Sequence, residues 1–251
     1  MKRIVIANQK GGVAKTTTAV NLGWGLALAG HRTLLIDGDP QANATFAVLG
    51  PKEPDLSTYD LLIHDQPIET IIQPTKDARL DILPSHIDLA GAEVELISKV
   101  GGQTRLRTKL NEANLPYAYI VIDAPPSLGF LTINALAASH NVLIPVSASI
   151  FALSGIAKLV NTITQVRREL NSPELQISGV LCTMFDNTNV ARDALAELQS
   201  YFKELVFQTV IPKNIKLEEA HSRAESIFAY APESRGAIAY QELVKEIMSR
   251  E

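Results

Sequence analysis

The stretch QKGGVAKTTTAVNL, Gln9 to Leu22, carries two lysines, two glycines and three threonines in an order suited to holding phosphate. Gly11 and Gly12 let the backbone approach phosphate oxygens with no Cβ in the way. Lys15 is placed to reach the β- and γ-phosphates of a nucleotide, and the Thr16 hydroxyl to hold Mg²⁺. The usual loop reads G-x-x-x-x-G-K-[ST]. By that spacing glycine belongs at 9 and 14, but this chain has Gln9 and Ala14, with a further cation, Lys10, inside the loop. Candidate nucleotide contacts are Lys10, Gly11, Gly12, Val13, Ala14, Lys15, Thr16 and Thr17. Ala14 precedes a helix and is expected to have a negative, helical φ, where alanine is a better helix former than glycine.

Two further segments supply acids. LLIDGDPQANAT (34–45) contributes Asp37 and Asp39, and IVIDAPPSLG (120–129) contributes Asp123. Three carboxylates near a triphosphate have a use: one can anchor Mg²⁺ through its water shell and another can orient the attacking water.

The elements that must position these groups follow from the apolar pattern. Short runs rich in Val, Ile and Leu at 3–8, 32–37, 80–85, 117–126, 140–146, 176–186 and 204–212 predict buried strands. Near-continuous apolar runs suit a parallel sheet covered on both faces. Helical patterns are expected at 15–30, 86–99, 103–114, 129–139, 152–171, 189–202, 214–222 and 234–249, with Gly30 as the C-cap of the first. The fold class is α/β, a doubly wound, mostly parallel sheet with helices on both faces. In such a sheet polar chemistry gathers at the carboxyl ends of the strands, where the loop and the three acids all fall.

Composition narrows the function. The 251 residues are 46% hydrophobic and 20% charged, which supports a sizeable core. A net charge of −4 argues against a protein coated in positive charge but leaves room for a local basic patch. The one cysteine, Cys182, excludes an intrachain disulfide and a four-thiolate site, and the five histidines lack metal-ligand spacing. The apolar run in MKRIVIANQK is too short for a signal peptide or a membrane span, so a cytoplasmic protein is expected.

KGGVAKTT, DGDPQANAT, VIDAPPSLG and TVIPKNIKLEEA together resemble the ParA/Soj family of partition ATPases, within the deviant Walker-A (MinD/ParA) superfamily of P-loop NTPases. The resemblance runs from residue 2 to about 249, and APESRGAIAYQEL (231–243) matches the family's C-terminal segment. The family loop reads KGGVGKTT, so Gln9 follows the family and Ala14 departs from it. The resemblance implies one ATPase domain over 1–251, with ATP and Mg²⁺ as cofactors and slow, partner-stimulated hydrolysis. It makes Lys10, Lys15 and Asp39 the catalytic groups, Asp39 holding the water and Lys10 reaching the phosphates bound by the partner chain of an ATP-bridged homodimer. Thr16, Asp37 and Asp123 would serve the metal, and Met184, Pro212 and Asn214 the adenine. The resemblance also implies sequence-independent binding of double-stranded DNA by the dimer, on Lys213, Lys216, Arg192 and Arg223, a nucleoid-associated location and a ParB-like adaptor protein.

Relatives within the superfamily are separable on residues. A membrane anchor needs a basic amphipathic C-terminal helix. AYQELVKEIMSRE instead carries Glu242, Lys245, Glu246, Arg250 and Glu251, so no membrane partner is expected. Iron–sulfur relatives need two cysteines per chain, and kinase relatives a tyrosine-rich tail that is absent. The alternatives left open are a ParA-like positioning ATPase for a carboxysome or chemoreceptor cluster, a MinD-like cell-division regulator, or a nucleotide-gated scaffold with little turnover.

Overall fold

A computed structural model describes residues 1–149 and 155–250. Seven strands form one sheet: β1 (Lys2–Ile6), β2 (Thr33–Asp37), β3 (Gln73–Pro74), β4 (Leu80–Leu83), β5 (Tyr119–Asp123), β6 (Asn141–Ser147) and β7 (Gln176–Thr183). Their order is β3-β4-β2-β5-β1-β6-β7, and every pairing is parallel except β3 with β4. The first half of the chain adds α1 (Lys15–Leu28), α2 (Asn43–Leu49), α3 (Thr58–Ile63), α4 (Ile68–Ile71), α5 (Leu89–Ser98) and α6 (Arg105–Glu112). The second half adds α7 (Phe130–Ala137), α8 (Ile156–Glu169), α9 (Asn189–Phe202), α10 (Ile215–Ser222), α11 (Ile227–Tyr230) and α12 (Arg235–Ser249).

Alternation along each strand divides the core in two. Ile4 and Ile6 of β1, Val121 of β5 and Leu143 of β6 pack with α1, α2, α10 and α12 on one face. Val5, Ile120, Ile122 and Ile144 pack with α3 and α5 to α9 on the other. All five residues of β2 and of β5 are buried, so burial on both faces, rather than alternation in polarity, is what the apolar runs encode. The parallel register brings the loops after β1, β2 and β5 to one end of the sheet, with Asp37 and Asp123 as direct partners across β2 and β5.

Two expectations need correction or limits. The run 204–212 is not a continuous sheet strand: it meets β7 and its continuation at isolated bridges at Val206 and Pro212 and through the Ile211 amide on the Cys182 carbonyl at 2.9 Å. Between these, the amides of Gln208 and Thr209 donate instead to the Glu246 carboxylate of α12, at 2.8 and 2.9 Å. Of the helix expected at 152–171, residues 152–154 lie outside the described residues. Gly30 does terminate α1, at φ 96° with its N–H on the Ala27 carbonyl. Among the described residues no helix is long and apolar enough to cross a membrane.

Candidate functional site

The loop after β1 is built for an anion. Asn8 anchors it, donating to the Pro145 carbonyl at 2.7 Å and accepting from the Lys10 amide at 3.0 Å. Thr183 at the end of β7 donates to the Val13 carbonyl at 3.1 Å, pinning the far side. Helix α1 then begins at Lys15 with no side-chain cap and no acid in its first turn. Its first N–H groups therefore face the loop uncompensated, with the positive end of the helix dipole behind them.

Ala14 does not behave as expected. Its φ is +61° and ψ 34°, the left-handed region, so the expected helical φ is wrong. Gly12 is also left-handed, at φ 70°. Closing the loop between Asn8 and Thr183 demands these torsions, and alanine accepts one of them at a cost of about 1–2 kcal/mol. The family's glycine at this position is thus a conformational requirement, which alanine meets under strain.

The two lysines diverge. Lys15 is nine-tenths buried, and its ammonium donates to the Lys10 carbonyl at 3.2 Å. Burial lowers its pKa, while the nearby Asp123 and Asp39 carboxylates act in the opposite sense. Lys10 turns away from the cradle, its ammonium 3.3 Å from the Ser149 hydroxyl beyond β6.

The three acids lie together, Asp39 and Asp123 acting on Lys15 and Asp37 on Asp123, but they are held differently. Asp37 is fully buried and accepts from the Asp39 amide (3.1 Å), the Thr45 amide (2.8 Å) and the Thr45 hydroxyl (2.7 Å). Burial pushes its carboxyl up to about 6 in spite of those bonds. Asp39 gives one oxygen to the Gln41 amide at 3.0 Å, and its carbonyl is held by the buried Ser85 hydroxyl at 2.7 Å. Asp123 is fully buried, yet neither carboxylate oxygen has a hydrogen-bond partner among the described residues. Burial and then the Asp37 charge raise its pKa well above the carboxylate range, with Thr16 close enough to pull the other way. An orphaned buried carboxylate beside a hydroxyl and a lysine fits the water shell of a magnesium ion, which keeps several waters. No cluster of three or more His, Cys, Asp or Glu capable of enclosing a metal exists among the described residues. Asp37 has both oxygens engaged by the protein, and these bonds hold the 37–45 loop.

The expected base contacts also come together. Met184, Pro212 and Asn214 line a cleft of about 70 Å³ with Ala14 and Thr17 of the phosphate loop. Met184 is 39% exposed with φ 53°, which removes it from the core. Asn214 caps α10 through its oxygen, accepting from the Lys216 amide at 2.9 Å, which leaves its side-chain NH₂ for another acceptor.

The four candidate DNA cations are exposed on neighbouring segments, but they are not equally available. Lys216 is paired to Glu219 at 2.7 Å, and that carboxylate also accepts from Tyr230 at 2.7 Å. Arg223 stacks over the Tyr230 ring at 5.3 Å. Arg192 bonds the Asn187 and Asn189 side chains at 3.2 and 3.3 Å. The Lys213 ammonium makes no hydrogen bond or ion pair among the described residues, though its charge acts on nearby Asp186.

Sequence reasoning missed Asn8, Ser85 and Thr183. Each donates one hydrogen bond to a backbone carbonyl far along the chain, which leaves no local pattern. Thr45, the last residue of DGDPQANAT, was within reach of a motif reading.

Comparison with known proteins adds to this geometry. A family model described as an AAA domain matches residues 1–177. The sporulation initiation inhibitor protein Soj of Bacillus subtilis (strain 168) is 48% identical over 249 residues, with 98% of each chain covered. The chromosome partitioning protein ParA of Myxococcus xanthus (strain DK1622) is 45% identical, over 99% of this chain and 88% of its own. Among solved structures, a cobyrinic acid a,c-diamide synthase from Mycobacterium smegmatis with bound ATP analog and magnesium is similar at TM-score 0.85 and 34% identity, over 99% of this chain and 94% of that one.

Proposed function

The chain belongs to the ParA/Soj family of partition ATPases, and from that premise we propose that it is the ATP-driven dimerising component of a DNA segregation system. It is an ATPase that uses ATP and Mg²⁺. The α1 amides and Lys15 receive the phosphates, and the Thr16 hydroxyl, with Asp123 acting through water, would hold Mg²⁺. When bound, the ion neutralises charge on the β- and γ-phosphate oxygens. Asp39 has a second oxygen to orient the attacking water, and the cleft at Met184, Pro212 and Asn214 takes the base.

The divergence of the two lysines is the observation that carries the dimer. Lys15 is committed to its own loop, while the Lys10 ammonium lies outside it on an accessible serine. A cation in that position can serve a facing subunit, as an arginine finger does in other NTPases. ATP then joins the dimer, and pairing two acidic subunits doubles a modest basic patch. The dimer binds double-stranded DNA without sequence preference on the nucleoid in the cytoplasm, and a ParB-like adaptor stimulates turnover.

DNA binding as a function of salt tests this. Binding should require ATP and weaken steeply with salt, because it rests on phosphate neutralisation. Lys213→Glu should weaken it and flatten the salt slope more than Lys216→Glu, since the Lys216 charge is already spent on Glu219. An ATP-bound dimer that ignores DNA at ~50 mM salt, where this electrostatic attraction is strong, overturns the DNA reading and leaves the ATPase reading standing.

A further inference from the structure

We propose that Glu93, on α5, is a positioning residue for ATP hydrolysis: its carboxylate clamps the start of α7 and so fixes the loop 124–129 that leads away from Asp123. The inference rests on Asp123 being the metal-facing carboxylate. Helix α7 begins after Gly129, which offers no side-chain cap. Glu93 supplies the cap from another helix, accepting from the Phe130 amide at 2.6 Å and the Leu131 amide at 3.4 Å. Its first oxygen also lies 3.5 Å from the Ser127 hydroxyl within the loop. Glu93 meets no cation among the described residues, so the amides and the positive end of α7 are its counter-charge.

The loop is thus held at both ends. At the β5 end the Gly38 amide donates to the Asp123 carbonyl at 3.0 Å and the Ala124 amide to the Ile6 carbonyl at 3.2 Å. At the α7 end the clamp is Glu93. Helix α5 itself is fixed by buried Leu89, Ala92 and Leu96, and by the Tyr59 hydroxyl donating to Glu95 at 2.9 Å. Because the Asp123 carboxylate has no well-formed hydrogen bond and only the Thr16 hydroxyl nearby, its aim depends largely on the backbone to either side. Gly129 has φ −85°, which alanine adopts freely, so its lack of a side chain serves another end. A Cβ there would collide with both Glu93 oxygens.

That collision provides the test. Glu93→Ala removes the clamp, Gly129→Ala displaces the carboxylate, and Glu93→Gln keeps an acceptor. The readouts are hydrogen exchange of the Phe130 amide, the ratio of ADP affinities with and without Mg²⁺, and the Mg²⁺ needed for half-maximal ATP turnover. Glu93→Ala should speed the exchange and weaken the Mg²⁺ dependence roughly 10–100-fold, the usual effect of losing a group that orients a metal ligand. Gly129→Ala should reproduce it, Glu93→Gln should recover most of it, and the double variant Glu93→Ala/Gly129→Ala should be no worse than either single. Wild-type exchange and Mg²⁺ dependence in Glu93→Ala, or additive losses in the double variant, would overturn the clamp alone. A wild-type protein whose ADP affinity ignores Mg²⁺ would overturn the reading of Asp123, and the clamp with it.

Discussion

Asp37 and Asp123 are direct partners across β2 and β5, and their side chains are held in opposite ways: the Asp37 carboxylate accepts three hydrogen bonds from the protein and the Asp123 carboxylate none. Two fully buried carboxylates side by side oppose each other's ionisation. The folded pKa of Asp37 is raised from 3.8 to about 6, and that of Asp123 is raised well above its ordinary value by burial and then by the Asp37 charge. A raised folded-state pKa means that the native protein binds the proton more tightly than the unfolded chain. The stabilisation is full below about 3.8 and is lost as pH rises through about 6 and above. Asp123→Asn, which disturbs no hydrogen bond, should therefore raise the stability of the nucleotide-free protein at pH 8 by roughly 0.5–2 kcal/mol, the common yield of relieving a functional site. The gain should shrink toward pH 5. A lower melting temperature for Asp123→Asn at pH 8 would contradict this.

Lys15→Ala should weaken ATP binding at least ~100-fold, because charge-assisted bonds to the phosphates contribute about 1.5–3 kcal/mol each. Calorimetry reads this directly, and retained wild-type affinity would remove Lys15 from the phosphates.

Lys10→Ala should separate binding from assembly. Its ammonium rests on Ser149 and not in the cradle, so the monomer should bind ATP at near-wild-type affinity. The ATP-dependent dimer should disappear in size-exclusion light scattering. Wild-type dimerisation would mean that Lys10 does not act on the facing subunit.

Asp39→Ala should bind ATP and dimerise but hydrolyse it roughly 10²–10⁴-fold more slowly, the usual contribution of a group that orients and deprotonates water. Unchanged turnover would transfer that role to Asp123, whose oxygens are both open.

Ala14→Gly should stabilise the fold. Releasing a left-handed alanine returns about 1–2 kcal/mol, from which the greater freedom of glycine in the unfolded chain subtracts about 0.4–1 kcal/mol. Urea unfolding should show a net gain of roughly 0–1.6 kcal/mol on those figures, centred near ~0.8 kcal/mol. A loss would mean that the alanine methyl packs favourably in the cleft beside Met184 and Pro212.

What the sequence disclosed and what it withheld divide on the range of the interactions. The phosphate loop is a contiguous strand–loop–helix, and its acids close apolar strands, so residue type and spacing announced both. The φ of Ala14 is fixed by anchors at Asn8 and Thr183, of which the second is 170 residues from the Val13 carbonyl it holds. The run 204–212 has strand-like composition, but Glu246 of α12 claims two of its amides. Glu93 acts on an amide 37 residues away, through a carboxylate no different in sequence from a solvated one. The Lys216–Glu219 pair was written at helical spacing and lowers the value of that lysine as a DNA contact.

The capture of Gln208 and Thr209 by Glu246 has a consequence for how copies of this chain can meet. A parallel sheet with a bare edge is a template for uncontrolled pairing. Here the β7 edge is covered by a segment that follows it only at intervals and turns two amides inward to a carboxylate. The opposite edge ends in a two-residue antiparallel strand containing Pro74, which has no N–H to offer. With both edges blunted, strand-to-strand aggregation is disfavoured even at high local concentration. What remains for meeting between copies is the ATP-bridged pairing proposed above, at the carboxyl ends of the strands, which hydrolysis would reverse.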